Sequence, residues 1–214
     1  MERNIPFGTF RVLVFLFFMP SLGGMDPAAG ENFDNKSLKG LYAFTMFQSC
    51  VADPGGFTNL AHNLGGRGLN AFGISGHIQY HGGGTGTVSR RQLILVDERN
   101  NLGVIQLFQA DLTCDVSYSV NPDGTFTHAE NQCTGKITAG SALFPYMSQD
   151  IGKGITQNGI KFMGTIEKRE GHLLFSDTNI NVETVVFGPN DQGVTFSLER
   201  ICTRSGSAFR VSKK

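Results

Sequence analysis

The strongest constraint on this chain is a period of two that recurs between residues 41 and 202, broken by glycine-rich turns and nowhere replaced by a helical period. Val194, Phe196, Leu198, Arg200 and Cys202 share one face, against Thr195, Ser197 and Glu199 on the other. Ile160, Phe162 and Ile166 likewise oppose Lys161, Thr165 and Glu167. Such alternation predicts strands with one face in a core. Candidate strands run over Leu41–Val51, Asn70–His81, Gly86–Val96, Leu102–Leu112, Cys114–Val120, Thr125–Glu130 and Gly135–Ala139. Four more cover Ile160–Glu167, Gly171–Asp177, Ile180–Phe187 and Val194–Cys202. Asp53–Gly68 reads as a long loop, and Ser141–Asn158 lacks a period of two, with room for one helical turn. The expected fold is all-β: one antiparallel β-barrel of about 8–10 strands, or a two-sheet β-sandwich, over residues 30–214.

The four cysteines narrow the topology. Two alternating runs flank Asn121-Pro122-Asp123-Gly124, where Pro suits the first central turn position and Gly supplies a positive φ. Pairing outward from Asn121 opposite Thr125 brings Cys114 to Gln132, one residue short of Cys133. A single bulge or a four-residue loop removes that offset. Cys114–Cys133 is therefore the expected bridge, which leaves Cys50–Cys202. Cys50 and Cys202 both lie on the apolar faces of their strands, so a bridge would tie the first strand to the last. That pairing favours a closed barrel over a sandwich and removes the sheet edges. Zinc or redox chemistry would need ligands separated by two to four residues or a C-x-x-C motif, and neither spacing occurs. Free buried thiols are the alternative if the chain is not exported.

Residues 1–29 read as a signal peptide. Arg3 and Arg11 precede the apolar run Val12–Met19, Pro20 stops it, and small residues follow, with a cut expected between Gly23 and Ala29. The run falls well short of the ~20 residues a membrane helix needs. No later segment has the length and apolarity of such a helix, so no membrane anchor is expected after cleavage. The expected address is periplasmic or secreted, where disulfides persist. The 18 basic and 18 acidic side chains balance to zero net charge, which gives no electrostatic footprint for nucleic acid.

The opening Leu38-Lys39-Gly40-Leu41-Tyr42-Ala43-Phe44, with Gly84-Thr85-Gly86-Thr87, Asp123-Gly124-Thr125 and Cys133-Thr134-Gly135, resembles exported bacterial β-barrel proteins of uncharacterised function. Gly40-x-Tyr42 more distantly resembles the G-x-W opening of lipocalin-like (calycin) barrels. That resemblance implies an arginine of the last strand packed over the ring, a role for Arg200. The allene-oxide-cyclase-like barrel is a comparable shape without matching catalytic residues.

Functional candidates are few. His77 and His81 would share a helix face, but on a strand they stand about 13 Å apart at ~3.3 Å per residue and cannot share one ion. They read as part of a solvated face. His62 falls in the glycine-rich loop and His128 beside the hairpin, both without a nearby acid–histidine pattern, and His172 follows a turn. There is no G-x-S-x-G elbow, no Lys-Ser/Thr pair follows the glycine run at 82–86, and no carboxylate pair sits in an apolar context. Arg200 is the one polar residue that the alternation pushes inward, and Tyr42, Tyr80 and Tyr118 point the same way. These four are the expected lining of an interior site for a small apolar or amphipathic ligand. No catalytic residue, metal or cofactor is assigned. The functional expectation is an exported ligand-binding barrel, with a barrel-type cyclase, isomerase or hydrolase, or a surface interaction protein, as alternatives. A filled interior would leave only the last.

Overall fold

The hairpin around Asn121–Gly124 forms as its residues dictate. Gly124 adopts φ 87°, Asn121 N–H donates to the Thr125 carbonyl at 2.8 Å, and Val120 pairs with Phe126. The ladder slips by one residue at Asn131, and this bulge sets Cys114 opposite Cys133. The computed structural model describes residues 32–53, 56–57, 68–98, 104–140, 151–167, 171–177, 180–189 and 193–211. The leader expected over residues 1–29, its cut site, His62 and residues 141–150 lie outside the described residues.

A 3₁₀ turn, Asn35–Leu38, is capped by the Asp34 carboxylate and precedes the strands. The strands are β1 (Gly40–Asp53), β2 (Gly68–Tyr80), β3 (Thr85–Glu98), β4 (Val104–Val120), β5 (Thr125–Gly140), β6 (Gly154–Glu167), β7 (His172–Ser176), β8 (Val182–Phe187) and β9 (Phe196–Arg210). Every pairing is antiparallel, and β9 returns to pair with β1 from Tyr42↔Arg210 to Asp53↔Glu199. The sheet is thus a closed barrel. β7 and β8 both bridge β6 to β9, at opposite ends of β6, so the described strands occupy eight staves with one stave broken at 177–181.

Several expected strands merge. Leu102–Leu112 and Cys114–Val120 are one strand, β4; Thr125–Glu130 and Gly135–Ala139 are one strand, β5. The cause in β5 is the bulge at Asn131, which moves the inward face from Phe126, His128 and Glu130 to Cys133 and Ile137. In β6, Gly159 (φ 81°) does the same between Gln157 and Ile160, so residues 154–158, expected to lack a period of two, are strand. A change of phase hides a strand from any fixed period of two.

Tight turns close one end of the barrel beneath the 3₁₀ turn, and the end opposite it is the open end. Tyr42, Tyr80, Val88, Phe126 and Leu173 fill the closed end at 1% exposure or less. Phe126 lies over Gly164, where a Cβ would run into the ring. Phe72, Ile94, Phe108, Ile137 and Ile155 form an apolar layer toward the open end. Each such side chain contributes about 1.5–3 kcal/mol through burial. Val194 and Phe196, expected inside with Arg200, are 58% and 51% exposed at the start of β9.

Both disulfides form as expected, Cys50–Cys202 and Cys114–Cys133, each across directly paired strands. They close loops of very different length, with sequence separations of 152 and 19. Loop-closure entropy then predicts losses of about 5 kcal/mol for Cys50→Ala with Cys202→Ala, against about 3 kcal/mol for Cys114→Ala with Cys133→Ala. Urea unfolding of the two double variants checks this, with the first expected to unfold at the lower midpoint.

Candidate functional site

Between the aromatic closed end and the apolar open end lies a layer of charge. Arg90 of β3 projects inward two residues from Val88, and Glu130 of β5 two residues from His128. Arg90 Nη1 donates to Glu130 Oε1 at 2.7 Å, and its Nη2 donates to Gln157 Oε1 of β6 at 2.8 Å. Gln157 Oε1 also accepts from Arg200 Nη2 at 3.2 Å. Arg200 Nε donates to Glu183 Oε2 of β8 at 2.8 Å, and Arg204 Nη2 donates to the other Glu183 oxygen. Arg204 completes the chain with Asp177 Oδ2 at 2.7 Å and Gln48 Oε1 at 2.9 Å. Asp177 lies in the break of the β7–β8 stave, so that irregularity supplies the last carboxylate.

Three guanidiniums and three carboxylates therefore form one connected, charge-balanced network across the barrel. Arg200 is one of a group of inward polar residues, not the single one expected. It also packs over the Phe72 ring at 5.0 Å. Burial pulls its guanidinium below the ordinary 12.5 while the Glu183 charge pushes it back up. Gln92, His128, Gln157 and Glu183 are each 1% exposed or less. A void able to admit water would leave accessible surface on its lining, so no such void opens on these four. This layer is filled with side chains.

The expected site residues divide between two places. Tyr42, Tyr80 and Tyr118 come together at the closed end, with ring centroids 5.7 and 4.7 Å apart in edge-to-face pairs. Tyr118 Oη accepts from Gly82 N–H at 2.9 Å and donates to the Asn35 carbonyl at 3.0 Å, which ties the 3₁₀ turn over the barrel. Arg200 is not with them. The last-strand arginine over Tyr42 is Arg210, 5.8 Å from the ring centroid, and it also donates to the Lys39 carbonyl. The tyrosines are thus a packed plug, with the Tyr80 and Tyr118 hydroxyls bonded within the protein.

His77 and His81 are exposed on the outer face, as the alternation predicts. His128 is buried, contrary to its reading as a turn-side residue. It stacks on Phe162 at 4.2 Å, its Nδ1 lies 2.8 Å from the Tyr80 hydroxyl, and its Nε2 lies 3.8 Å from Glu130 Oε1. Burial holds the Tyr80 phenol well above 10, so it keeps its proton, and the direction of its bond to Nδ1 follows the histidine tautomer. Cys114, Glu130 and Cys133 also cluster here, but both sulfurs are in a disulfide and offer no thiolate to a metal.

The outer face is mostly polar. Arg91 and Asp111 pair at 2.7 Å in full view of solvent, and Asp115, Lys136 and Lys161 also point outward. Apolar side chains interrupt it in two places among the described residues: Phe47, Leu69, Leu93, Leu95 and Leu107 on β1–β4, and Leu174, Val182, Phe196 and Phe209 on β7–β9, are each at least 40% exposed. A shallow groove of about 580 Å³ runs beside Phe47, over Gly73 on one side and Ser205 and Gly206 on the other.

No protein-family model matches the sequence, and no curated protein matches it. Among solved structures, the crystal structure of Neisserial surface protein A (NspA) is similar over 81% of this chain and 98% of its own, with TM-score 0.45 and 6% identity. Ail, the attachment invasion locus protein of Yersinia pestis, is similar over 81% of this chain and 99% of its own, with TM-score 0.31 and 8% identity.

The buried layer generates two predictions. Glu183→Ala removes the carboxylate between Arg200 and Arg204 and leaves the buried Arg200 with no carboxylate partner, at a cost of about 3–5 kcal/mol. Asp111→Ala, on the exposed pair, should leave the urea midpoint nearly unmoved. The second prediction concerns acid. Burial, aided by the Arg90 and Arg204 charges, lowers His128 below its ordinary 6.5 against the opposing pull of Glu130. Burial raises Glu130, but Arg90 and then His128 outweigh it and bring the carboxyl down from 4.5 to about 2. In both cases the unfolded chain binds the proton first, so stability falls with pH. The fall begins near pH 6.5 through His128 and continues from 4.5 toward 2 through Glu130. Urea midpoints measured between neutral pH and pH 5.5 should show the first limb in the native protein and lose it in His128→Gln.

Proposed function

We propose that this protein is an exported interaction module, a disulfide-locked barrel whose interior is structural and whose outer β1–β4 face meets a partner. One contrast supports the reading: the described middle layer is filled, while large apolar side chains stand in water on the outer face, five of them clustered on β1–β4. The interior carboxylates are each held by a guanidinium and shielded from solvent, which leaves them poorly suited to acid–base chemistry on a substrate. The Tyr80 and Tyr118 hydroxyls are engaged within the protein. On the outside, an apolar cluster rimmed by polar residues is the usual signature of a contact site. The leader sequence and the two disulfides support export to an oxidising compartment, periplasmic or extracellular.

The experiment is titration of the native protein with an environment-sensitive apolar dye. Phe47→Ser and Leu93→Ser should remove most of the fluorescence enhancement and leave the near-ultraviolet circular dichroism unchanged. Dye bound at one-to-one stoichiometry, displaced by a fatty acid and untouched by either substitution, would place the apolar site inside and return the protein to the ligand carriers.

A further inference from the structure

The apolar face is built in rows. The sheet register aligns Phe47, Gly73 and Leu93 across β1, β2 and β3, and sets Ala71, Leu95 and Leu107 in the next row across β2, β3 and β4. Phe47 stands out as a knob, 59% exposed. Its neighbour Gly73 leaves a notch, since a Cβ added there would meet nothing within 4 Å. The barrel is closed through β1 and β9, so a partner cannot add a strand to an edge there and must dock on side chains.

We propose that the occupant of this face is a second copy of the chain, packed about a two-fold axis with each Phe47 seated in the notch over the other's Gly73. The proposal rests on the interaction reading above and names its partner. An isologous contact requires one surface to carry both halves of the fit, and here knob and notch adjoin in one row. The five exposed side chains present roughly 400 Å² of apolar surface, about half of the ~800 Å² each partner of a standard interface loses. Charge permits the pairing: the molecule is neutral overall, and the charges beside the face, Arg91 and Asp111, already neutralise each other. An anionic membrane would call for free cations at the rim, and Arg91 is taken.

Sedimentation velocity on protein exported to the periplasm of a bacterial host, followed from micromolar to millimolar concentration, tests this. The expected result is a monomer–dimer equilibrium. Phe47→Ser should weaken association by roughly thirtyfold, the loss of one buried aromatic anchor. Gly73→Val is the sharper variant, because it fits the strand, adds apolar surface and fills the notch. It should also weaken dimerisation, whereas tighter association would overturn the fit. A native protein monomeric throughout, yet with the dye response intact, would overturn self-pairing while leaving the interaction reading in place. Dimers unaffected by either substitution would place the contact elsewhere and overturn the proposal. Flotation with phosphatidylglycerol vesicles that is lost in Phe47→Ser would overturn it in favour of lipid.

Discussion

The pairing of β1 with β9 is the contact on which the rest of this structure depends. It joins the first and last strands over most of their lengths, with Cys50 directly opposite Cys202. Closure gives every described strand two neighbours and leaves the backbone groups of the seam bonded within the protein. It also defines an inside. Only a closed ring of eight staves brings Arg90, Gln157, Arg200 and Glu183, from four different strands, within hydrogen-bonding distance of one another. Such a ring is just wide enough for side chains to fill it. The interior network is therefore a consequence of closure, and the long-range disulfide holds in place the seam that makes it.

The energetics of that network suggest its role. Six charges withdrawn from water are costly to desolvate, and an apolar layer of similar volume would stabilise the barrel as well or better. What the network adds is dependence on register. A one-residue slip of β9 against β1 would turn Arg200 and Arg204 to solvent and leave Glu183 buried without partners. The bulges at Asn131 and Gly159 already shift phase inside β5 and β6, so alternation alone leaves several registers open to these strands. The interlocked charges penalise the wrong ones heavily.

How much of this was legible in the sequence depends on where the phase holds. The Cys114–Cys133 hairpin was legible because its turn residues fix the starting register and one bulge corrects it. Arg200 was legible because β9 keeps one phase through Cys202. Arg204 and Arg210 lie beyond Cys202, where the run Thr203–Ser207 carries no apolar alternation to mark a strand. Arg90 and Glu183 alternate with apolar neighbours on the inward faces of β3 and β8, a signal that was present and reads as polar only when each strand is taken alone. Their partners are far away in sequence: Glu130 lies 40 residues from Arg90, and Gln157 lies 67. His128 and Glu130 end their phase just before the Asn131 bulge, so they resemble a hairpin flank. The closed end was legible in its tyrosines but not in its arginine, because Arg210 falls past the point where alternation stops.

The same filling that makes the interior stable is why the proposed contact site lies on the outer face. A barrel that keeps a ligand inside must leave some inward side chains small or displaceable, as wide cavities require. Here the inward positions of the middle layer carry Arg, Glu, Gln and His, each held by another strand, so admitting a ligand means breaking ion pairs shielded from solvent. The outer face carries no such constraint. Its Ser, Thr and charged positions tolerate water, and Phe47 with its row of leucines does not benefit from it. Polar outer positions would serve the fold equally well, because the core is complete without them. Exposed apolar area on the outer wall is therefore the feature that folding does not explain, and it is what the proposed partner contact would cover.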